Sequence, residues 1–484
     1  MASVTMKSPF SKLRPNETFS HPTRHSHAAT NKAITFFGSK LSRKPLSLAV
    51  HTTSRLRPQP VISASAHTFD VVIIGAGIIG LTIARHLLIE SDLSVAVVDK
   101  AVPCSGATGA GQGYIWMVHK SPESDSWGLA ARSQRLWKMF AESVRDQGRD
   151  PFELLGWKKN GSLLVGRTHE EAEMLKRKVK QLSEAGLRAE YLSSHDLLSE
   201  EPELVVGKDG GAAFLPDDCQ IDATRAVATI EKVNQQFASK GRFAGFYHDP
   251  VTSIVRYGSN GEAQGVQTSK RTLYSKTIIV AAGSWSGYLL RDLFKGSDIE
   301  LDVPVRPRKG HLLVLENFSS FSLNHGLMEV GYISHLDIKE PKDSASGLVQ
   351  HGNALSVSMA ATMDTSGRLV LGSSREFAGF NTEVNDFIVS SIWKRAGDYL
   401  PKLKGLSLTD ITAAQKVRIG LRPYMPDGKP VIGRVPALSN MILATGHEGC
   451  GLSLALGTAE MVAHMLLGKP KFADHAAFSV HGRG

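Results

Sequence analysis

Gly75-Ala76-Gly77-Ile78-Ile79-Gly80, with Asp99 nineteen residues after Gly80, is the stretch of this chain with the most explicit chemistry. GxGxxG at the mouth of a helix presents backbone N–H groups to a pyrophosphate. Gly75 makes the tight turn, Gly77 lets the backbone approach the phosphates, and Gly80 lets the helix lie close on a sheet. Asp99 accepts from ribose hydroxyls. An acid there, where an arginine would bind a 2′-phosphate, points to FAD or NAD rather than NADP. The three cysteines, Cys104, Cys219 and Cys450, are far apart and form no CxxC, so neither a disulfide framework nor a zinc or other metal site is expected.

These residues need a particular frame. Phe69–Ile74 is a β-branched run that reads as a buried parallel strand, Leu81–Glu90 as a helix and Ser94–Asp99 as a second strand. The order strand, glycine loop, helix, strand, acid is a nucleotide-binding βαβ unit. Ser105–Gly113 is made largely of small residues, which let the chain pass close to a bulky ring system or simply form a flexible loop. Lys276–Ser286 reads as a further buried strand ending in small residues. Glu170–Gly186 and Ala223–Lys240 read as helices. Val251–Val255, Gly265–Thr268, Gly310–Leu315 and Arg368–Gly372 read as strands, and Leu336–Asn353 as a polar loop, either an insertion or a lid.

The chain has 484 residues and a formal charge of +10. Residues 1–66 hold ten Lys or Arg and one acid, Glu17, so the remainder carries only +1. A nearly neutral body offers no basic stripe for a phosphate backbone, and no nucleic-acid partner is expected. The Ser/Thr-rich, acid-poor first 66 residues have transit-peptide composition, with Ser63–Ala66 as a cleavage zone. That predicts the chloroplast stroma, with the mitochondrion as the alternative; a basic tail with no address is the plainer reading. No window reaches the apolar length of a membrane span on the sequence alone.

Four segments, in order and spacing, resemble the FAD-dependent D-amino-acid oxidase, glycine oxidase and sarcosine oxidase-like (DAO) flavoproteins. They are the N-terminal glycine motif, Ala281-Ala282-Gly283-Ser284-Trp285-Ser286, Gly420–Gly433 and Gly446–Gly457. The resemblance spans roughly 68–470. Ser366–Phe377 looks more like the bacterial proline, hydroxyproline and glycine dehydrogenase branch. The implied fold is α/β: a Rossmann-like FAD-binding domain interleaved with an α+β substrate domain of antiparallel sheet, the glutathione reductase-like DAO fold. Its expected parts are 67–160, 222–290 and 411–470 for FAD, 161–221 and 291–410 for substrate, and 471–484 as a tail.

The implied chemistry is oxidation of a C–N bond in a small amino acid or secondary amine by hydride transfer to flavin N5, followed by imine hydrolysis. FAD contacts are expected from Gly75 to Gly80, Asp99, Lys100, Ala107, Thr108, Val251, Ala282, Gly283 and Trp285. The turn Gly446, His447, Gly449, Gly451 and Leu452 would face the pyrimidine end, where backbone N–H groups and a helix start favour the charge of a reduced flavin. Arg422, in the Gly-Leu-Arg-Pro position of the family arginine, would fork onto the substrate carboxylate; its structural alternative is a pair with an acid such as Asp427. Arg418 reads as a structural or surface charge.

Tyr424 and His447 complete the candidate catalytic set. His447 either touches ligand or is a satisfied structural histidine, with no acid–base work assigned. Cys450 is not where the family attaches flavin covalently. Two family features are missing. No tyrosine occurs in Ser356–Ala361, where a second carboxylate ligand stands in glycine-oxidase-like members; Tyr424 or Tyr332 would have to replace it. Val370 occupies the place of the lysine that activates oxygen in monomeric sarcosine oxidases, and Lys309 lies on another strand. Two other readings stay open: an NAD-linked dehydrogenase, and a non-catalytic flavin-bearing assembly factor or scaffold.

Overall fold

The computed structural model describes residues 65–484 apart from 257–261, 298, 300, 337–354, 407–414, 437, 471–472 and 484. The expected transit peptide, apart from its last two residues, and most of the 336–353 loop lie outside the described residues. Met1–Ala64 and Ser65–Gly484 separate as two units, and the fold below is that of the second.

Its first sheet has five parallel strands in the order Phe243–Phe246, Val95–Val98, Ser65–Ile74, Arg271–Val280 and Leu438–Thr445. Val431–Val435 closes one edge antiparallel, and the hairpin Val251–Arg256/Ala263–Thr268 hangs from Arg271–Val280. Parallel strands covered on both faces must be apolar throughout, and Val71–Ile74, Val95–Val98 and Ile278–Val280 are all buried. Helix Ile78–Glu90 packs on the helices Ala223–Gln235 and Gly451–Leu467.

The last of these helices corrects an expectation. Glu448–Leu467 is long and apolar enough to cross a membrane, but 61% of that window is buried inside the protein. Its apolar character serves packing between Ile78–Glu90 and Trp127–Asp146.

The second sheet runs Gln415–Tyr424, Arg306–Leu315, Leu369–Arg375, Ser356–Met363, Gly326–Glu329, Ser162–Gly166, Gly211–Leu215 and Glu190–Ser193. All its pairs are antiparallel except Gly326–Glu329 with Ser162–Gly166. One face buries Leu163, Leu313, Leu315, Leu369 and Leu371 under helix Asp386–Gly397; the other is turned toward the nucleotide lobe.

One boundary moves. Gln415–Tyr424, expected in the third FAD-binding segment, pairs residue for residue with Arg306–Leu315, from Gln415 opposite Leu315 to Tyr424 opposite Arg306. Ten ladder positions fix it in the second sheet, which therefore extends to Tyr424. The helix expected over 223–240 ends at Gln235, with a separate short turn at Ala238–Lys240.

Candidate active site

A cavity of about 730 Å³ runs between the C-terminal ends of the parallel strands and the second sheet. It is large enough for a dinucleotide-sized ligand. At one end lie Gly75, Ala76, Gly77, Ile78 and Ile79. Gly75 has φ +118°, and a Cβ there would stand 2.3 Å from the Ala281 carbonyl oxygen, so only glycine makes this turn. A Cβ on Gly80 would meet the Gly75 oxygen at 2.0 Å. Gly80 does not line the cavity; it lets the helix seat on the strand.

Asp99 accepts from the Ala76 N–H through Oδ2 and from the Ala101 N–H through Oδ1, both at 2.7 Å. That ties the acid to the glycine loop, with its edge on the cavity. Thr108 accepts from the Ile78 N–H at 3.2 Å. Lys100 places its ammonium 3.8 Å from the Trp285 ring centroid, and Trp285 stacks on Phe380. Ala107, Thr108, Val251, Ala282, Gly283 and Trp285 all line this half. The glycine cradle, the ribose-directed acid and the apolar walls fit FAD.

The other half is polar and cationic. Arg422 is half-buried, faces the cavity, and donates from Nη1 to the Ser374 carbonyl at 3.0 Å. Asp427 pairs instead with Arg483 at 2.7 Å, so the anticipated structural partner is taken. Burial lowers the guanidinium's pKa; Glu448 opposes that and Arg375 adds to it. Gly310, on the neighbouring strand, leaves the space that the guanidinium occupies. Arg418 reaches Asp364 at 4.0 Å, outside the cavity lining.

His447, Glu448, Gly449, Gly451 and Leu452 border the same end. The His447 Nε2 pairs with Thr458 Oγ1 at 2.9 Å, and burial pushes its pKa down to about 3. The ring is anchored on Thr458 and also borders the cavity, so the structure keeps both roles that the sequence left open and assigns it no acid–base work. Gly446, at φ +75°, makes the turn and does not line the cavity. Cys450 is also absent from the lining; its sulfur lies 2.6 Å from Lys120 Nζ.

The place of Tyr424 is corrected. It follows Arg422 by two residues on one strand face, roughly 7 Å further along. There it packs edge-on against Phe377 and beneath Arg308, off the cavity. Tyr332, on the short helix Gly331–Leu336, does line the cavity. Lys309 alternates to the sheet face opposite Gly310 and Leu312, and pairs with Glu376 at 3.5 Å.

Three groups here were not anticipated. Arg308 is buried and lies 3.7 Å from Glu448. Arg375 is wholly buried against the Tyr332 ring, with its guanidinium carbon 4.1 Å from the centroid. Tyr114, which donates to Gln112, forms another part of the wall.

Comparisons with known proteins agree with this geometry. The family description "FAD dependent oxidoreductase" (DAO) matches residues 70–465. A glycine oxidase of Geobacillus kaustophilus (strain HTA426) is 25% identical over 418 residues, covering 86% of this chain and 97% of that protein. The crystal structure of glycine oxidase from Geobacillus kaustophilus superposes with a TM-score of 0.68 at 23% identity, covering 86% of this chain and 99% of that one. L-proline dehydrogenase from P. horikoshii gives a TM-score of 0.70 at 19% identity, covering 86% and 98%. Iminodiacetate oxidase from Chelativorans sp. BNC1 gives 0.65 at 23%, covering 84% and 98%. With its interleaved sheets, its glycine cradle and a family match over most of its length, this chain belongs to the DAO family of FAD-dependent oxidoreductases.

Proposed function

We propose that this enzyme oxidises the C–N bond of a small amino acid or secondary amine of the glycine, sarcosine, proline or D-amino-acid type. The observation that carries this reading is Arg422: a half-buried guanidinium, open to the FAD cavity and paired with no carboxylate of the described residues. A planar fork in that position suits a substrate carboxylate, which it would hold by two parallel charge-assisted hydrogen bonds. Relatives named glycine oxidase and neighbours named L-proline dehydrogenase and iminodiacetate oxidase support it.

Bound FAD supplies the acceptor for the hydride that leaves the α-carbon. The chain's own residues do the rest. Arg422 fixes the carboxylate and so the direction of the adjacent C–H bond. Tyr332, Tyr114 and Leu452 wall the site. His447 stays neutral and holds the Gly446–Leu452 turn by its bond to Thr458. The α-carbon gives up its hydride and the nitrogen its proton, and water hydrolyses the resulting imine to a carbonyl product and an amine or ammonia.

The test is anaerobic mixing of the yellow holoenzyme with glycine, sarcosine, proline and a panel of D-amino acids. Bleaching by at least one of them is expected, with Arg422→Ala raising the half-saturating concentration about 100-fold or more while FAD is retained. Full retention of colour with every compound would replace this reading with a flavin-bearing scaffold. We also propose that residues 1–66 direct import into the chloroplast stroma, with the mitochondrion as alternative; a fluorescent fusion of those residues that stays in the cytosol would overturn it.

A further inference from the structure

The described cations around the Arg422 end are not equivalent. Arg308 meets Glu448 at 3.7 Å, and Lys309 meets Glu376 at 3.5 Å. His311 and His447 are held neutral by burial. Arg422 and Arg375 are left, and no carboxylate of the described residues pairs with either.

Arg375 is the more unusual of the two. It is 0% exposed, and none of its Nε, Nη1 and Nη2 has a hydrogen-bond partner among the described residues. Its guanidinium lies against the face of Tyr332. A cation–π contact replaces only a fraction of the solvation that a buried guanidinium gives up, and buried charges are ordinarily paired. Position explains what it awaits. Arg375 does not itself border the cavity but stands directly behind its wall: Ser373, two residues earlier on the same strand face, is part of that wall. Tyr332 lines the cavity too, and the guanidinium of Arg375 lies against its ring. Arg375 also acts electrostatically on Arg422, Arg308 and Tyr114 across the site.

We propose that Arg375 is a second anion-binding residue, and that the substrate is an amine carrying two carboxylates, one held by Arg422 and the other by Arg375 beside Tyr332. This rests on the amine-oxidising reading for its catalytic consequence, but not for the binding site itself. Two neighbouring cations, neither paired with a carboxylate of the described residues and only partly offset by Glu448, are matched by a dianion, whereas a monocarboxylate leaves one of them unpaired. The chemical class is that of amino- and imino-dicarboxylates.

The experiment uses the FAD-loaded full chain and has two arms. In the first, perturbation of the flavin absorption spectrum gives dissociation constants for malonate, succinate and glutarate against acetate, propionate and butyrate. At least one dicarboxylate is expected to bind about 10- to 100-fold tighter than its monocarboxylate counterpart, the scale of one hydrogen bond to a charged group. In Arg375→Met that ratio falls to about one, and in Arg375→Lys it is partly restored. Absence of any dicarboxylate preference in the wild-type protein overturns the proposal, with no variant needed. Equal weakening of mono- and dicarboxylates in Arg375→Met also overturns it, since both arginines would then clamp one carboxylate or Arg375 would be structural. In the second arm, anaerobic bleaching compares iminodiacetate, D-aspartate and D-glutamate with sarcosine, glycine and D-alanine, and the dicarboxylates are expected to react at the lower concentration. If the first arm succeeds and no amine bleaches the flavin, the anion site stands and the amine-oxidising reading fails.

Discussion

The guanidinium of Arg422 lies over the α-carbon of Gly310, one strand across in the second sheet. A Cβ at 310 would stand 2.1 Å from Nη1 and 2.5 Å from Nη2. The register explains the overlap: Arg308 is opposite Arg422, Gly310 is opposite Gly420, and the side chain reaches along the strand between them. Gly310→Ala therefore displaces the fork without removing it. Because the clash is with the end of a side chain, the sheet survives. The expected outcome is a half-saturating substrate concentration raised about 10-fold or more with unchanged FAD content, measured by flavin reduction and by the absorbance ratio of the purified protein. Unaltered saturation would show that Arg422 does not act from this position.

The three glycines of the nucleotide motif are expected to fail in different ways. An alanine at Gly75 or Gly80 meets backbone oxygen at 2.3 or 2.0 Å, and nothing rigid there can give. Each should lower stability by roughly 1–3 kcal/mol or more, as overpacking does. At Gly77 the same methyl finds only the Thr108 hydroxyl at 3.3 Å, so the fold is spared while the approach of the phosphates is crowded. Gly77→Ala should keep the apoprotein's melting temperature within a few degrees and weaken FAD retention. Thermal melts of stripped and reconstituted protein separate the two effects.

This difference also shows why half of the site was legible in the sequence. Phosphate binding is done by backbone, and the backbone's demands fall on a short contiguous string: Gly75, Gly77, Gly80, then Asp99 one strand later. Arg422 was legible because it sits inside a recognisable segment. Arg375 was not. It ends the strand Leu369–Arg375 after Gly372, Ser373 and Ser374, where a charged residue reads as the close of a strand, and only the register beside Arg306–Leu315 and the crossing of Tyr332 place it next to Arg422. Tyr424 shows the converse. Proximity in the chain to Arg422 suggested a shared task, but two residues of strand carried it past the cavity to pack with Phe377 and Arg308.

Two buried histidines give the fold a defined acid response. Burial lowers His447 to about 3 and His311 to about 4, both below the ordinary value near 6.5. Between those limits the unfolded chain binds protons that the native chain does not, so stability is complete above about pH 6.5 and falls as pH drops. Each contributes a slope of about 1.4 kcal/mol per pH unit. Melting temperature should decline from pH 6.5 to 4.5. His447→Gln, which can keep a bond to Thr458, should make that decline shallower by one proton. An identical slope in the variant would show that His447 is protonated in the native protein.

Glu448 tempers the positive field of the site, and its removal should move binding and stability in opposite directions. Its carboxylate lies 3.7 Å from Arg308 and borders the cavity, and it acts on Arg422 electrostatically. Glu448→Gln removes the carboxylate that stands 3.7 Å from Arg308, which is 1% exposed. Breaking a buried pair from one side costs about 3 kcal/mol, so the melting temperature should fall. The same change raises the net positive charge facing a ligand by one, so a carboxylate such as acetate should bind several-fold tighter, read from the flavin difference spectrum at low salt and less so at high salt. A purely structural Glu448 would lower the melting temperature and leave carboxylate affinity where it was. A Glu448 that instead received the substrate's ammonium would, once neutralised, weaken amine binding and leave acetate unaffected.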